Sequence, residues 1–328
     1  MEIKAARLAV AMAASIGLAA ASTPAAAYTV YISNEKGNSI TVLDSATLEV
    51  KATIPVGQRP RGIMLTKDGK HLLVCASDDD TVQMLDVATR EIVGELPSGP
   101  DPEQLNLHPS GNPVYVANED DALMTVIDLA ERKVVAEVPV GVEPEGVAVS
   151  PDGKTLIATS ETSNMAHFID TGTYEVVDNV LVGSRPRFAE FTADGSQLWV
   201  TSEVAGTVSV IDAKTRKIIK SIGFAIPGVQ PEQIQPVGVR VTKDGARAFV
   251  ALGPANRVAV IDAKKLEVEK YLLVGQRVWQ LAFTPDDSLL FVTNGNSNDV
   301  SVIDVSRLKV VKSVPVGDAP WGVAISQQ

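Results

Sequence analysis

The chain has 328 residues, with 40 acidic and 29 basic side chains, and its net charge at pH 7 is −11. A surface this acidic repels a phosphate backbone, which argues against a nucleic-acid-binding protein. The single cysteine, Cys75, excludes an intramolecular disulfide framework and a CxxCH haem attachment site.

Residues 1–27 have the pattern of a secretory signal peptide. Lys4 and Arg7 give a basic start, residues 8–21 are apolar, and the alanines at 25–27 form a small-residue cleavage site. No later stretch reaches about 18 consecutive apolar residues, so the sequence predicts no membrane span. We therefore expect cleavage before Tyr28, export to the periplasm and a mature protein of residues 28–328.

Two markers recur along the rest of the chain with one period. Segments such as ITVLD, MTVID and VSVID end in an aspartate, and these aspartates are 42 residues apart except for one interval of 50. They are Asp44, Asp86, Asp128, Asp170, Asp212, Asp262 and Asp304. A turn, usually Asp-Gly, keeps the same spacing from Asp68-Gly69 to Asp286-Asp287. Two markers in one register indicate an array of repeats.

Each repeat has the pattern of four short strands. In the third full repeat these are residues 146–150, 156–160, 166–170 and 174–182, which are rich in Val, Ile, Thr and aromatic residues. The turn PDGK favours a tight hairpin between the first two strands. Repeated four-stranded units of about 40–45 residues predict an all-β fold, a β-propeller with four-stranded antiparallel blades.

The two ends of the mature chain are predicted to complete one blade. The last repeat stops after its inner strand in PVGDAPWGVAIS (315–326), whereas residues 28–33, 39–44 and 47–56 read as three strands that lack an inner strand. Pairing them leaves no open sheet edge. We predict a single seven-bladed domain over residues 28–328, with one strand of the last blade from the C-terminus and three from the N-terminus.

The loop before each inner strand is predicted to share a face with the loop between the second and third strands, and loops on a rigid scaffold often carry function. After the proline of the phrase PVGxxPx, the blades in chain order carry Arg61, Glu103, Glu145, Arg187, Val237, Trp279 and Trp321. Two residues earlier they carry Arg59, Asp101, Glu143, Arg185, Gln235, Arg277 and Ala319. Because residues two apart in an extended strand point the same way, both sets are expected at the mouth of the central channel.

Seven of these side chains suggest a pocket for a planar, anionic molecule. The predicted ligand-binding arc consists of Arg59, Arg61, Arg185, Arg187, Arg277, Trp279 and Trp321. Indole rings supply stacking surfaces, and guanidinium groups match carboxylates. The alternative is structural: arginines and glutamates of neighbouring blades neutralise one another, and the tryptophans plug the channel.

Acidic residues are predicted to make part of this face negative. They are Asp101, Glu103, Glu143 and Glu145, together with the loops 78–80 and 119–121 and Glu161. Such oxygens could bind Ca²⁺, remain solvated, or dock a basic partner steered by the electrostatic field. A nucleophile elbow, a Cys–His pair and a Walker loop are all absent from the sequence, which favours a non-catalytic protein.

The segments FVTN (291–294) and YVAN (115–118), the VSVID strands and the phrase PVGxxPxGVAxSPDGK resemble the repeat of YVTN-family β-propellers over residues 28–328. The chain is most similar to the exported propellers associated with PQQ-dependent alcohol catabolism. This resemblance implies a periplasmic, non-catalytic accessory protein of quinoprotein alcohol oxidation. It would bind a small anionic cofactor such as PQQ, or dock a quinoprotein dehydrogenase or a cytochrome.

Two other functions stay open at this point. One is a metal-dependent lactonase-type hydrolase, in which Glu103 and Glu145 would hold a metal with Asn118 and Asn164. The other is a pure protein-interaction scaffold. We expect a monomer in each case.

Overall fold

The computed structural model describes residues 27–326 and confirms the predicted all-β, seven-bladed propeller. Seven four-stranded antiparallel sheets surround a central channel. Two short 3₁₀ helices, Ser77–Asp79 and Pro231–Gln233, are the only helices in this range. None of the helices in residues 27–326 is long and apolar enough to span a bilayer. The predicted signal peptide lies, except for its last residue, outside the described residues.

The first half of the chain forms β1 (Thr29–Asn34), β2 (Ser39–Asp44), β3 (Val50–Pro55), β4 (Pro60–Leu65), β5 (His71–Ala76), β6 (Thr81–Asp86), β7 (Ile92–Pro97), β8 (Pro102–Leu107), β9 (Val114–Asn118), β10 (Leu123–Asp128), β11 (Lys133–Pro139), β12 (Pro144–Val149), β13 (Thr155–Ser160), β14 (Met165–Asp170) and β15 (Val176–Leu181). The second half forms β16 (Pro186–Phe191), β17 (Gln197–Ser202), β18 (Thr207–Asp212), β19 (Lys217–Gly223), β20 (Val239–Val241), β21 (Arg247–Ala251), β22 (Arg257–Asp262), β23 (Glu267–Leu273), β24 (Val278–Phe283), β25 (Leu289–Asn294), β26 (Asp299–Asp304), β27 (Lys309–Pro315) and β28 (Pro320–Ile325). Blades 1 to 6 take four consecutive strands each, beginning with β4, β8, β12, β16, β20 and β24. The closing blade has the order β28-β1-β2-β3.

The closing blade joins the two ends of the described chain as the sequence predicts. Strand β28 pairs antiparallel with β1, with Val30 opposite Ile325 and Ile32 opposite Val323. Ser33 fixes this blade to blade 1, because its Oγ donates a hydrogen bond to the carbonyl of Arg61 at 2.7 Å. The same Oγ accepts a hydrogen bond from the backbone N–H of Gly322 at 2.8 Å.

Turn chemistry explains the two repeating markers. At the end of β2, Asp44 Oδ1 accepts hydrogen bonds from the N–H groups of Ala46 and Thr47 at 2.9 and 2.8 Å. This Asx turn leads the chain into the outer strand. In the β4–β5 hairpin, Asp68 Oδ1 accepts from the Thr66 hydroxyl at 2.7 Å. We call the side of the propeller that carries these β4–β5-type turns the hairpin face.

The hydrophobic core lies between the blades. One cluster joins Cys75 and Val82 of blade 1 to Val114, Val116 and Ile127 of blade 2, and similar clusters lie between other neighbouring blades. Burial of both faces of each sheet is what holds the ring together. The innermost strand of each blade has no sheet partner on its inner side, so its side chains and backbone form the channel wall.

Candidate functional site

The two predicted sets of residues meet on the channel end opposite the hairpin face, which we call the mouth. The loops between second and third strands lie there too, since the backbone N–H of Ser77 bonds to the carbonyl of Arg59. The same bond joins Glu119 to Asp101 and Glu203 to Arg185. The prediction that these two kinds of loop share a face is therefore confirmed.

The reason given for placing the set that begins with Arg59 there was wrong. Arg59, Asp101 and Glu143 have φ values of 50°, 48° and 56°, and Arg185, Arg277 and Ala319 adopt the same left-handed conformation. They precede the inner strands and do not share an extended backbone with the set that begins with Arg61. Side chains of the preceding blade stabilise this conformation: Asn38 Oδ1 accepts from the N–H of Arg59 at 3.0 Å.

Predicted metal-binding asparagines have other roles. Asn164 Oδ1 accepts from the N–H of Arg185 at 3.0 Å, in the same way as Asn38 does at Arg59. Asn118 Nδ2 donates to Ser98 Oγ at 2.7 Å and to the Gly99 carbonyl at 2.9 Å. Both asparagines therefore hold loops in place, and they are not free to join Glu103 and Glu145 around a metal.

The first half of the mouth is a buried ion-pair network around Glu103. This side chain is fully buried, its Oε1 lies 2.6 Å from Arg59 Nη2, and its Oε2 contacts Arg61 Nη1. Arg61 Nε also donates to Glu35 Oε1 at 3.0 Å. Arg59 extends the network to Asp101, with Nη2 lying 3.1 Å from Oδ1.

The second half is centred on Arg187, whose side chain is 4% exposed. Its Nη2 lies 2.9 Å from Glu145 Oε1, and its Nη1 donates to Glu161 Oε1. Arg185 Nε lies 2.7 Å from the other oxygen of Glu161. Glu203 completes the half, since its Oε1 lies 2.9 Å from Arg277 Nη2. Arginines and glutamates of neighbouring blades thus neutralise one another.

Both tryptophans of the predicted arc are brought together. The ring centroids of Trp279 and Trp321 lie 6.4 Å apart with an interplanar angle of 35°. Arg277 lies 4.0 Å from the Trp279 centroid, and Arg61 lies 5.4 Å from that of Trp321. Trp321 is only 1% exposed, so its indole ring is buried at this level of the channel.

The residues present do not fit PQQ as a preformed site. A planar tricarboxylate needs an open aromatic face and guanidinium groups without carboxylate partners. Arg187 is also within 5.8 Å of the Trp279 centroid. Both indole rings therefore have arginines beside them, Arg187 and Arg277 at Trp279 and Arg61 at Trp321. The guanidinium groups of Arg59, Arg61 and Arg187 are paired with carboxylates.

Four carboxyl groups in this network have perturbed pKa values. Burial opposes the ionisation of Glu103, but Arg61 and Arg59 outweigh it and hold its pKa below the usual value. Burial and the charge of Glu103 raise the pKa of Asp101 to about 6 and that of Glu119 to about 8. Burial raises the pKa of Glu145 well above its usual value, against the attraction of Arg187. Closely spaced acids therefore differ in protonation near neutral pH.

A divalent cation does not fit the acidic cluster well. Asp101, Glu103 and Glu119 bring oxygens within 4.8 Å of one another. Arg59 and Arg61 already occupy both oxygens of Glu103, so an ion would have to displace a guanidinium group. Glu143 is not part of the cluster, since it accepts from Thr162 and joins no ion pair within residues 27–326.

Four acids of the network were not among the predicted site residues, although the sequence had placed Glu119 and Glu161 on the acidic part of this face. They are Glu35, Glu119, Glu161 and Glu203. Each follows the last residue of a second strand, and they are 84, 42 and 42 residues apart. The four acids thus share one position in the repeat. Comparing the residues that follow each second strand, as was done for the residues at the start of each inner strand, would have identified all four.

Several solved structures are similar to this chain. Hydrazine synthase of Kuenenia stuttgartiensis is 24% identical with a TM-score of 0.76, over 84% of this chain and 92% of that one. A putative 6-phosphogluconolactonase from Bacteroides fragilis is 18% identical with a TM-score of 0.78, over 93% and 99%. Dihydro-heme d1 dehydrogenase NirN, in complex with DHE, is 17% identical with a TM-score of 0.68, over 90% and 74%. At these identities the similarity shows the fold alone.

Sequence comparisons identify the family. No functionally curated protein matches the chain. A family model described as "Cytochrome D1 heme domain" matches residues 67–184. A second family model, described as "Lactonase, 7-bladed beta-propeller", matches residues 7–98 and 169–311, which together make up more than half of the chain. The chain therefore belongs to the seven-bladed β-propeller lactonase family.

Proposed function

We propose that this protein hydrolyses an anionic lactone at the channel mouth. One observation carries the proposal: Asp101, Glu103 and Glu119 lie together beside two arginines, and their pKa values are spread from below the usual value to about 8. Neighbouring acids with separated pKa values are the usual source of a general base and a general acid. Membership of the lactonase family supports the choice of reaction.

The roles follow from the charges near pH 7. Asp101, with a pKa of about 6, is mostly ionised and serves as the general base that removes a proton from water. The water oxygen bonds to the lactone carbonyl carbon, and Arg59 stabilises the negative charge on the carbonyl oxygen. The ring C–O bond then breaks, and Glu119, with a pKa of about 8, gives its proton to the leaving oxygen. Proton exchange with solvent restores both acids.

An anionic substrate suits the exposed part of this face. The side chains of Arg59 and Arg185 are 28% and 48% exposed, so a substrate anion can reach either guanidinium group from solvent and exchange with one of its carboxylate partners. Arginine binds carboxylate and phosphate groups through paired N–H donors. The Bacteroides fragilis relative is named for a phosphorylated lactone, which agrees with this choice.

The experiment compares lactones of different charge. We expect the purified protein to hydrolyse 6-phosphogluconolactone faster than neutral δ-valerolactone in a pH-stat, with no loss of rate in EDTA. Asp101→Asn should lower kcat by about 10²–10⁴-fold, the usual contribution of a general base. Rates equal to those of buffer, or unchanged by Asp101→Asn, would refute the proposal.

A second candidate is the accessory role in quinoprotein alcohol oxidation. It is supported by the exposed acidic residues Asp78, Asp79, Asp80 and Asp120 beside the mouth, which suit a basic partner such as a cytochrome. In this case the protein acts in the periplasm, without turnover, by docking a quinoprotein dehydrogenase or its electron acceptor. Salt-sensitive co-purification of such a partner, without lactone hydrolysis, would favour it over the hydrolase.

A further inference from the structure

The central channel contains a cavity between Trp321 and the hairpin face. Its volume is about 270 Å³, and it is lined by the inner strands and by the hairpin turns at Pro151 and Ala193. Trp321 is part of its wall, whereas the arginines and acids of the mouth network are not. Trp321 therefore borders both the cavity and the mouth network.

One layer of inner-strand residues alternates between glycine and larger residues, except where the ring closes and Gly322 is next to Gly62. In blade order it contains Gly62, Gln104, Gly146, Phe188, Gly238, Gln280 and Gly322. The glycines allow neighbouring inner strands to approach closely. A Cβ on Gly62 would lie 2.7 Å from the Glu103 carbonyl oxygen, and one on Gly322 would lie 2.5 Å from that of Arg61. Gln104 and Gln280 are the polar side chains of this layer, and both line the cavity.

Polar atoms in this part of the cavity are buried without partners. Within residues 27–326, Gln104 Nε2, both amide atoms of Gln280 and Trp321 Nε1 make no hydrogen bond to protein. The three residues are only 6%, 4% and 1% exposed. Each unsatisfied buried group costs about 1–3 kcal/mol, and such groups are rare in folded proteins. Three of these atoms are donors and Gln280 Oε1 is an acceptor, so their convergence on one cavity points to a bound molecule that accepts hydrogen bonds and can also donate one.

A charged pair lies two residues further along the strands. Glu190 and Arg240 line the same cavity, about 6–7 Å along the strand direction from the glutamine layer. Arg240 Nη1 donates hydrogen bonds to Glu190 Oε2 at 3.4 Å and to the Val239 carbonyl at 3.3 Å. The guanidinium carbon of Arg240 lies 4.6 Å from the Phe188 ring centroid. The hydrogen bonds to protein in the described residues thus leave Nε and Nη2 of Arg240 available for a ligand. Burial raises the pKa of Glu190 to about 7, which reduces its competition for Arg240 near neutral pH.

We propose that this cavity binds a short-chain carboxylate with a second oxygen acceptor at its far end. The carboxylate pairs with Arg240, and the distal oxygen accepts from two of the three donors Gln104 Nε2, Gln280 Nε2 and Trp321 Nε1. A distal hydroxyl also donates to Gln280 Oε1. Leu105, Val147 and Val323 contact the carbon chain between the two ends. The volume is near the lower end of the range for small-molecule pockets, which is about 300–1,000 Å³. This site is independent of hydrolysis at the mouth.

Three matched probes test the proposal: 4-hydroxybutyrate has both oxygen functions, butyrate lacks the distal acceptor, and 1,4-butanediol lacks the carboxylate. We expect calorimetry to show 1:1 binding of 4-hydroxybutyrate, about tenfold weaker binding of butyrate, and weaker binding still of the diol. In protein with ¹⁵N-labelled indole, the Trp321 N–H resonance, assigned with Trp321→Phe, should shift on binding.

Variants locate the site and separate it from the mouth. Gln280→Leu should weaken 4-hydroxybutyrate binding about tenfold and leave butyrate binding within about twofold. Gln104→Leu provides a second test if Gln280→Leu does not fold. Gln276→Leu, at an exposed position, and Glu119→Gln, at the mouth, should leave binding unchanged.

Three outcomes would overturn the proposal. The first is the absence of heat and of a Trp321 shift at millimolar 4-hydroxybutyrate, as expected if only water fills the cavity. The second is equal affinity for all three probes, and the third is binding that Gln280→Leu and Gln104→Leu do not alter. Binding that persists in a protein unable to hydrolyse lactones would support this site while refuting the proposed function.

Discussion

The two ends of the channel satisfy their polar groups in different ways. At the mouth, charged side chains such as Arg61 and Glu103 are buried with one another as partners, although Arg187 Nε and both Glu145 oxygens make no hydrogen bond within the described residues. In the cavity, the neutral amide of Gln280 and the indole N–H of Trp321 are buried without protein partners. The comparison shows that the charge-rich region is largely self-neutralised, whereas the region with fewer charges has unused hydrogen-bonding capacity. A search for ligand sites by charge alone therefore finds only one of the two.

The largest expected effect is a destabilisation, caused by removing the buried guanidinium group of Arg187 at the mouth. Arg187→Met should lower the free energy of unfolding by about 3–5 kcal/mol, because it removes the guanidinium partner of buried Glu145 and one of the two guanidinium partners of buried Glu161. Urea denaturation at pH 7 would measure it. Arg185→Met is the matched control, since that side chain is 48% exposed and should contribute less than about 1 kcal/mol. Equal effects of the two substitutions would contradict the distinction between buried and exposed arginines.

A smaller, pH-dependent effect is expected at Glu119. Its pKa is about 8 in the folded protein and near its usual value of 4.5 in the unfolded chain. The folded state therefore binds more protons between these values, and stability falls as the pH rises through about 8. Glu119→Gln should stabilise the protein by about 1–2 kcal/mol at pH 9, after allowance for partial solvent screening, and very little at pH 4.5.

Denaturation curves of wild type and Glu119→Gln at pH 4.5 and 9 would test this. Glu131→Gln, at an exposed position on the rim of the propeller, is the control. A stability difference that does not change with pH would show that Glu119 ionises normally.

The smallest expected effect is a stabilisation, caused by a substitution at the cavity. Gln280→Leu removes a buried amide without partners and should raise the free energy of unfolding of the ligand-free protein by about 0.5–1.5 kcal/mol. Thermal denaturation without ligand would measure this change. A destabilisation comparable to that of Arg187→Met would show that the amide has structural partners, and the contrast between the two ends would fail.

The sequence predicts the fold well because each repeat contains its own turn chemistry. Asp44 and Asp68 are spaced by the repeat, and their side chains make the hydrogen bonds that form the turns. Closure was also predictable, since PWGVAIS lacks the three strands that follow an inner strand in the other blades. Local interactions and the count of strands were sufficient for both conclusions.

The site was predicted less completely. Comparing one position across the repeats correctly brought Arg61, Trp279 and Trp321 together. It gave the wrong backbone conformation for Arg59, because nothing in that residue type indicates a positive φ. The cavity was missed, since the importance of Gln104 and Gln280 depends on which buried atoms lack partners. That property arises only when strands from several blades are packed.

The pairing of β28 with β1 also has a consequence for biosynthesis. Strand β1 is among the first parts of the propeller to be made, but its inner partner is the last strand of the described chain to leave the ribosome. Until then, one edge of the nascent sheet has unpaired backbone groups that can associate with other chains. Protection of this edge by chaperones during synthesis should therefore matter more for this ring than for one whose blades are each built from consecutive strands.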